Sequence, residues 1–431
     1  MKLDDLLCTP IEPTTKGWPA SAGTMPLREV GRQGWSLLEE DLPLPVAVLK
    51  ASALSHNSRW MRSFLEHAGA EILPHGKTTM APQLFARQLA DGASGITVAT
   101  VQQMLVCRRF GVQRVLMANQ LVGRTALQTV MAELKADPAF EFLCLVDSQE
   151  GVRLLADAAR ETALGRPVTV LLEGGITGGR TGCRTLEEGL RVARAVAEAP
   201  ELALVGIEGF EGLINRLQPP DTDAAVRSFL DFLVELATSC AREGLFAPGP
   251  VHLTAGGSAF FDQVIQAFEA AELKREVKIV LRSGCYLTHD SKMYTEAFEQ
   301  MKRRTPELAR LGPGLRPALE LWACVQSTPE PGLAIATMGK RDVSFDSGMP
   351  VPERWYRPGL HAAPQALGEP FAVTGLNDQH AFLRVPADSP LRVGDMVAFG
   401  ISHPCTTFDK WQLLYVVDDD YKVIEAIRTL F

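Results

Sequence analysis

The chain has 431 residues, of which 46% are hydrophobic and 22% are charged, a composition typical of a soluble globular protein with room for more than one domain. Its net charge of -8 and its pI near 5.6 give no electrostatic reason to expect nucleic acid or an anionic membrane as a partner. A small anionic ligand is not excluded, because a local cationic pocket does not show in the net charge.

The cysteines are scattered and include no CxxC pair, which predicts reduced thiols and no disulfide framework. The N-terminus, MKLDDLLCTPIEPTT, carries two early aspartates and no sustained apolar core, so it is a poor signal peptide. No window approaches the apolar run that a membrane helix needs. We therefore expect a cytoplasmic protein.

From about residue 46, short β-branched runs alternate with longer amphipathic segments, a pattern typical of parallel βα units. The span 50–295 is close to the ~250 residues of a closed eight-stranded barrel. We therefore expect an α/β fold with a (β/α)8 TIM-type barrel. A doubly wound open sheet is the alternative, but no GxGxxG follows the first strand. The predicted strands, nine in number, are 47–49, 71–73, 95–100, 114–119, 140–147, 168–174, 204–210, 251–257 and 278–284.

Nine predicted strands are one more than a barrel of eight needs. The first follows the Pro-rich LPLP and is the candidate for a strand of a neighbouring domain. After residue 300 the sequence is rich in Pro and Gly, and the runs FAVTGL, HAFLRV, MVAFGI, WQLLYVVD and YKVIEAI predict antiparallel strands. The expected domains are an N-terminal segment, 1–45, packing with the β domain, a barrel, 46–297, and a C-terminal β domain, 298–431.

The ends of the barrel strands are where function is expected. Lys77 follows the strand that ends at Leu73, in the sequence PHGKT. A barrel lysine shielded from water can have a lowered pKa and form a Schiff base. Taken alone, Lys77 is better explained as a solvated loop lysine. TAGGS, 254–258, and RSGCY, 282–286, are two small-residue turns whose N–H groups could hold a phosphate, which together with Lys77 favours pyridoxal phosphate (PLP).

PHGKT, the arginine in GGRTGC, TAGGS and RSGCY occur in the order seen in the alanine-racemase-like PLP enzymes, and the sequence resembles most their D-serine dehydratase and D-threonine aldolase branch. The resemblance implies a PLP-binding barrel with a β domain, in a homodimer. It implies Lys77 as the Schiff-base lysine and catalytic base, and Arg180 facing the cofactor's phenolate. The other implied cofactor contacts are His75, Gly256, Gly257, Ser258, Gly284, Cys285 and Tyr286.

Some positions depart from the family pattern. Relatives commonly carry an arginine before Pro-His and a histidine after Lys-Thr, where this chain has Leu73 and Thr79. The loop before Arg180 lacks an aspartate that is often found there. These changes lie around the cofactor and bear on substrate specificity.

GISHPCTTFDKW, 400–411, holds His403 and Cys405 two residues apart, and on an extended segment both side chains would point to one face. A packed histidine beside a buried cysteine is the simpler explanation of such a pair. Imidazole and thiolate also suit Zn2+, and a site with open positions suits catalysis. His-x-Cys here matches the D-serine dehydratase type, whereas D-threonine aldolases typically have aspartate as the second ligand. Asp342 and Asp346 are expected to be structural.

The resemblance thus implies a PLP- and zinc-dependent lyase that acts on a small-molecule D-hydroxy amino acid. We expect β-elimination, with D-serine giving pyruvate and ammonia and D-threonine giving 2-oxobutanoate. The alternatives are a metal-dependent D-threonine aldolase, which gives glycine and an aldehyde, and a non-enzymatic PLP-binding protein.

Overall fold

The computed structural model describes residues 1–431 and contains two compact units, neither of them continuous in sequence. The first unit contains Arg62–Lys77 and Leu89–Gly284, and the second contains Lys2–Met61, Thr78–Gln88 and Cys285–Phe431. In the N-terminal 50 residues, the regular elements are α1 (Asp4–Leu7), β1 (Pro10–Ile11), β2 (Met25–Pro26) and β3 (Val46–Lys50).

The first unit is built around eight parallel strands that close into a barrel, as predicted. In chain order they are β4 (Glu71–Ile72), β5 (Ile96–Val98), β6 (Arg114–Gln120), β7 (Glu141–Val146), β8 (Val168–Gly174), β9 (Leu202–Gly209), β10 (Val251–Ala255) and β11 (Val277–Leu281). β4 pairs with β11, and the Thr97 N–H donates to the Pro74 carbonyl at 3.0 Å, next to a parallel bridge between His75 and Thr97. These contacts join the first two strands and exclude the open-sheet alternative.

Helices alternate with these strands along the chain, and four of them begin at a residue whose side chain caps the helix. The helices are α2 (Ala51–His67), α3 (Pro82–Ala90), α4 (Val101–Arg109), α5 (Arg124–Ala136), α6 (Gln149–Thr162), α7 (Leu186–Glu198), α8 (Thr222–Arg242) and α9 (Phe261–Glu269). Thr100, Ser148, Thr185 and Asp221 each accept a hydrogen bond from the backbone three residues ahead. In α8, apolar residues recur at helical spacing, which predicts one buried face. The structure confirms this face, since all of its members are buried: Val226, Phe229, Leu230, Leu233, Leu236 and Ala237.

The barrel interior is filled with aliphatic side chains rather than forming a pore. Its central cluster contains Leu73, Leu116, Leu143, Leu145, Leu171 and Val280. Burying such side chains contributes roughly 1.5–3 kcal/mol each. Because the middle is packed, polar chemistry is confined to the ends of the strands.

The second unit is dominated by antiparallel strands. They are β12 (Leu319–Glu330), β13 (Leu333–Ala336), β14 (Val351–Tyr356), β15 (Gln365–Ala366), β16 (Ala372–Leu376), β17 (Ala381–Arg384), β18 (Met396–Gly400), β19 (Leu413–Val417) and β20 (Val423–Arg428), with helices α10 (Met293–Arg304) and α11 (Cys405–Phe408). The five strand-like runs at the end of the sequence correspond to β16 to β20. β3 pairs with β12 and β19, so the first predicted strand, 47–49, is part of this unit and not of the barrel.

The N-terminal residues contact the same sheet. The Leu37 N–H donates to the Tyr421 carbonyl at 3.0 Å, and Lys16 forms an ion pair with the buried Asp342 at 2.7 Å. No helix in the chain is both long enough and apolar enough to cross a membrane.

Candidate active site

A cavity opens at the carboxyl ends of the barrel strands. Five of the predicted site residues line it: His75, Lys77, Arg180, Gly256 and Gly257. The remaining lining residues are Ala99, Ala118, Asn119, Phe210 and Arg282. The barrel topology therefore brings together motifs that are up to about 200 residues apart in sequence.

Lys77 lies on a 3₁₀ turn, Gly76–Thr78, directly after the first barrel strand. The segment before it is held by backbone hydrogen bonds from Leu73 N–H to the Leu281 carbonyl at 2.8 Å and from His75 N–H to the Arg282 carbonyl at 3.2 Å. The side chain is half-buried and lines the cavity. This placement does not match a fully solvated loop lysine.

His75 is held in its neutral form. Burial lowers its pKa well below the usual value, and the cationic Lys77, Arg282 and Arg180 lower it further. Its Nδ1 atom is enclosed and has no hydrogen-bond partner in the structure. A neutral imidazole with an enclosed nitrogen is available to a bound ligand.

The TAGGS turn needs glycine for steric and conformational reasons. Gly256 has φ +90°, and a Cβ there would lie 2.7 Å from Leu281 Cδ2. A Cβ on Gly257 would lie 3.0 Å from Phe210 Cε2. Ser258, next in the turn, is half-buried.

The two glycine amides already have an acceptor within the barrel. Gly256 N–H and Gly257 N–H donate to the Glu211 carboxylate at 3.1 and 2.7 Å. Glu211 is fully buried, and burial raises its pKa although these N–H groups act in the opposite direction. The turn is thus an anion-binding cradle that holds a carboxylate of the same chain.

Arg180 lies in the loop that follows β8 and is exposed. Its guanidinium lies over the Phe210 ring, 4.9 Å from the centroid. Arg184 holds the loop by donating to the Arg180 carbonyl at 2.8 Å and the Gly182 carbonyl at 2.7 Å. Arg180 therefore lines the cavity from a loop that Arg184 holds in place.

Two acidic residues at the barrel mouth were not predicted from the sequence. Glu208 pairs with Arg282, and the two side chains are only 2% and 6% exposed. Burial raises the pKa of Glu208 to about 7, Arg282 lowers it and Glu173 raises it. Glu173 accepts hydrogen bonds from Gln120 and, at 2.7 Å, from Thr181 Oγ1. The signal was available: each glutamate interrupts an apolar strand, in VTVLLEG and LVGIEGF.

The second unit contains the predicted metal pair, but the local backbone differs from the prediction. The segment was expected to be extended, whereas Cys405 is the first residue of α11. The helix begins there because Pro404 has helical backbone angles, φ -57° and ψ -44°. The His403 and Cys405 side chains nevertheless share a hydrogen bond.

Asp346, which we expected to be structural, contacts this pair. His403 Nδ1 lies 2.7 Å from Asp346 Oδ2. Burial alone would lower the pKa of His403, but Cys405 and Asp346 raise it to about 9. Asp342, by contrast, has the structural role that we expected, since it caps the Gly339 turn with a bond of 2.9 Å.

Cys405 has two further neighbours in the second unit. Its Sγ lies 3.7 Å from Cys285 Sγ and 3.6 Å from Thr78 Oγ1. Cys285 and Tyr286 are both buried, and every cysteine in the chain is free. No three His, Cys, Asp or Glu side chains form a ready-made metal site in this structure.

The sequence matches two family models. Residues 49–297 match the model described as "Alanine racemase, N-terminal domain", and residues 318–417 match "Putative serine dehydratase domain". Among named relatives, a D-threonine aldolase of Arthrobacter sp. is 24% identical over 89% of this chain and 90% of its own length.

Solved structures show the same fold. A D-threonine aldolase from Filomicrobium marinum matches with a TM-score of 0.74 and 23% identity, over 92% of this chain and 96% of that one. D-threo-3-hydroxyaspartate dehydratase from Delftia sp. HT23 matches with a TM-score of 0.69 and 21% identity, over 92% and 99%. A mutant of a D-threo-3-hydroxyaspartate dehydratase in the metal-free form matches with a TM-score of 0.68, 21% identity and coverages of 92% and 99%. With a barrel and an antiparallel sheet in the expected order and a family model over more than half of its length, this chain belongs to the alanine racemase-like family.

Proposed function

We propose that this protein is a PLP-dependent lyase that eliminates water from a D-hydroxy amino acid and releases ammonia. D-serine would give pyruvate, and D-threonine would give 2-oxobutanoate. The observation that carries the proposal is a half-buried lysine, Lys77, facing one cavity with Arg180, Arg282 and a glycine turn.

The residues around the cavity fit PLP. Three cationic side chains, those of Lys77, Arg180 and Arg282, suit a ligand that carries a phosphate and a phenolate. His75 Nδ1 and Arg282 Nε are enclosed without hydrogen-bond partners, so a ligand with polar atoms would satisfy them. When bound, PLP supplies an electron sink for the negative charge that develops at the substrate Cα.

Glu211 affects where the phosphate would bind. Gly256 N–H and Gly257 N–H already donate to Glu211, so we assign the main phosphate contacts to Ser258 and Gly284. The glycine turn would let the phosphate come close to the backbone. The roles of Cys285 and Tyr286 toward the phosphate stay predictions.

The chain's own groups would act as follows. Lys77 Nζ would hold the cofactor and would also remove the proton from the substrate Cα. Arg180 would bind the phenolate side of the cofactor. His75 stays neutral, which avoids adding a fourth cationic charge beside Lys77.

The metal pair supports elimination. Nitrogen and sulfur donors favour Zn2+, and a carboxylate on the other ring nitrogen is a common way of orienting a metal-binding histidine, which is the position of Asp346. His403 and Cys405 would hold Zn2+, whose Lewis acidity would help a hydroxyl group to leave. That a solved relative is described as a metal-free form agrees with a metal in this family branch.

The proposal is tested by spectrum and by products. The PLP-supplemented wild type should absorb near ~420 nm, and Lys77→Ala should lose the band. Lys274→Ala, at an exposed lysine, is the matched control and should keep it. The holoenzyme should then form 2-oxobutanoate and ammonia from D-threonine, and a chelator should stop turnover while the band remains. A wild type without the band would contradict the proposal.

The second candidate is a D-threonine aldolase, which is favoured by the names of two of the relatives. Cys405 argues against it, because that branch typically places aspartate there. Glycine and acetaldehyde as the main products from D-threonine would establish the aldolase. A PLP band with neither set of products would indicate a non-enzymatic PLP-binding protein.

We also propose a homodimer, as the family resemblance implies. Sedimentation of the holoprotein should give twice the chain mass of 46.9 kDa.

A further inference from the structure

Cys285 lies closer to Cys405 than its predicted role requires. The family resemblance gives a role only to the backbone N–H of Cys285, as a contact of the cofactor phosphate. Its side chain, however, is 3% exposed and its Sγ lies 3.7 Å from Cys405 Sγ, although the two residues are 120 positions apart. This places a second sulfur beside the predicted metal pair.

The two sulfur atoms are at hydrogen-bonding distance, and the same separation would also allow both to bind one metal ion. A disulfide would require about 2.05 Å between them. Two thiolates on a tetrahedral Zn2+, each about 2.3 Å from the metal, lie about 3.8 Å apart, along one edge of the tetrahedron. The observed 3.7 Å is close to that edge.

Cys405 is the common neighbour of the other two donors. Its side chain hydrogen-bonds with that of His403, and its Sγ lies beside Cys285 Sγ. Asp346 occupies Nδ1 of His403, so Nε2 is the nitrogen left for a metal. The three side chains do not converge on one point in this structure. Metal binding would replace the hydrogen bonds of the Cys405 sulfur with metal–ligand bonds.

We propose that Cys285 is a third protein ligand, with His403 and Cys405, of a Cys2His metal centre. This inference rests on the metal of the proposed function and deepens it. Three protein ligands leave one position of a tetrahedral site open for water or substrate. Two thiolates also make the site selective for soft ions such as Zn2+ over Mg2+ or Mn2+.

Cobalt is the probe that counts the sulfur ligands. The PLP-loaded enzyme is stripped of metal, kept reduced, and titrated with Co2+, whose sulfur-to-metal charge-transfer absorbance grows with the number of bound thiolates. Wild type should bind one ion per chain with the absorbance of two thiolates. Cys285→Ser and Cys405→Ser should each lose about half of it. Cys8→Ser, at an exposed cysteine, should change nothing.

A second measurement is the Zn2+ affinity from competition with a chelating dye. We expect Cys285→Ser to weaken Zn2+ binding by at least ~10-fold, since even removing a residue that only orients a ligand costs that much. The ~420 nm band of each variant reports that the chain is folded and loaded with PLP.

The outcomes separate the two proposals. If Cys285→Ser keeps the full charge-transfer absorbance and Zn2+ affinity while Cys405→Ser loses them, the centre has the two family ligands and the third ligand is refuted. If the wild type binds PLP but no Co2+ or Zn2+, the metal of the proposed function fails, and the third ligand fails with it.

Discussion

Replacing Glu208 with glutamine should change how the stability of the chain depends on pH. The Glu208 side chain is 2% exposed, and burial outweighs the neighbouring Arg282, so the pKa of the carboxyl is raised from 4.5 to about 7 in the folded state. Between these two values the folded chain binds more protons at this site than the unfolded chain. The stabilisation that protonated Glu208 gives to the folded chain is therefore complete below about pH 4.5 and is lost as the pH rises through about 7.

The size of the effect follows from the same shift. A change of one pKa unit corresponds to about 1.4 kcal/mol, so a shift from 4.5 to about 7 is worth on the order of 3 kcal/mol. Glutamine has nearly the same shape and does not titrate. The difference in unfolding free energy, Glu208→Gln minus wild type, should therefore rise by about 3 kcal/mol, in favour of the variant, between pH 4.5 and pH 8.

Urea denaturation of the cofactor-free protein at several pH values measures this difference, provided that fluorescence and circular dichroism give coincident transitions. Taking the difference removes the contributions of the titrating groups that do not interact with Glu208. Glu198→Gln, at an exposed glutamate, is the control and should run parallel to wild type. Parallel curves for Glu208→Gln as well would refute the argument that burial dominates over Arg282.

Three further predictions concern the two candidate sites. Gly256→Ala should destabilise the chain by roughly 1–3 kcal/mol and weaken PLP binding, because the backbone there is strained for alanine and the new Cβ would clash with Leu281. Thermal unfolding measures the loss of stability, and PLP titration measures the loss of binding. Gly249→Ala is the control for backbone strain without a clash, since Gly249 has φ +110° and open space around its Cβ position. An equal loss of stability in this control would show that the clash with Leu281 contributes nothing. Glu211→Gln should cost about 1–3 kcal/mol in urea unfolding, since one glycine N–H loses its acceptor, and an unchanged midpoint would contradict the cradle. Asp346→Asn should lower Zn2+ affinity ~10–100-fold in dye competition with little change in the PLP band, and unchanged affinity would count against its orienting role.

The sequence predicted the features that depend on local pattern. Strand and helix periodicity located the barrel and the α8 stripe, and the strand-end positions placed Lys77, His75 and the glycine turn at one cavity. These inferences succeed because the carboxyl ends of parallel strands meet at one end of a barrel.

Pairings across long sequence distances were not predictable. Neither the Glu208–Arg282 pair nor the bond from His403 to Asp346 leaves a spacing signal, since tertiary packing decides both. The same holds for the Cys285 sulfur, which comes within 3.7 Å of Cys405 only once the second unit has formed. The conformation of the His-Pro-Cys segment was mispredicted because extended spacing was assumed where a helix begins.

The position of β3 has a consequence for biosynthesis. Its residues Val46, Ala47, Val48 and Leu49 are completely buried, but their partners include Leu319 to Trp322 and Tyr415 to Val417. At ~5–20 residues per second, the ribosome needs roughly 20–70 s after making β3 to deliver its last partner strand. During that interval an apolar strand with unpaired hydrogen-bonding groups is exposed, which is the kind of edge that promotes aggregation. A chain shortened before residue 319 would keep that edge open, so a barrel fragment that begins upstream of residue 46 should require chaperones or detergent to stay monomeric.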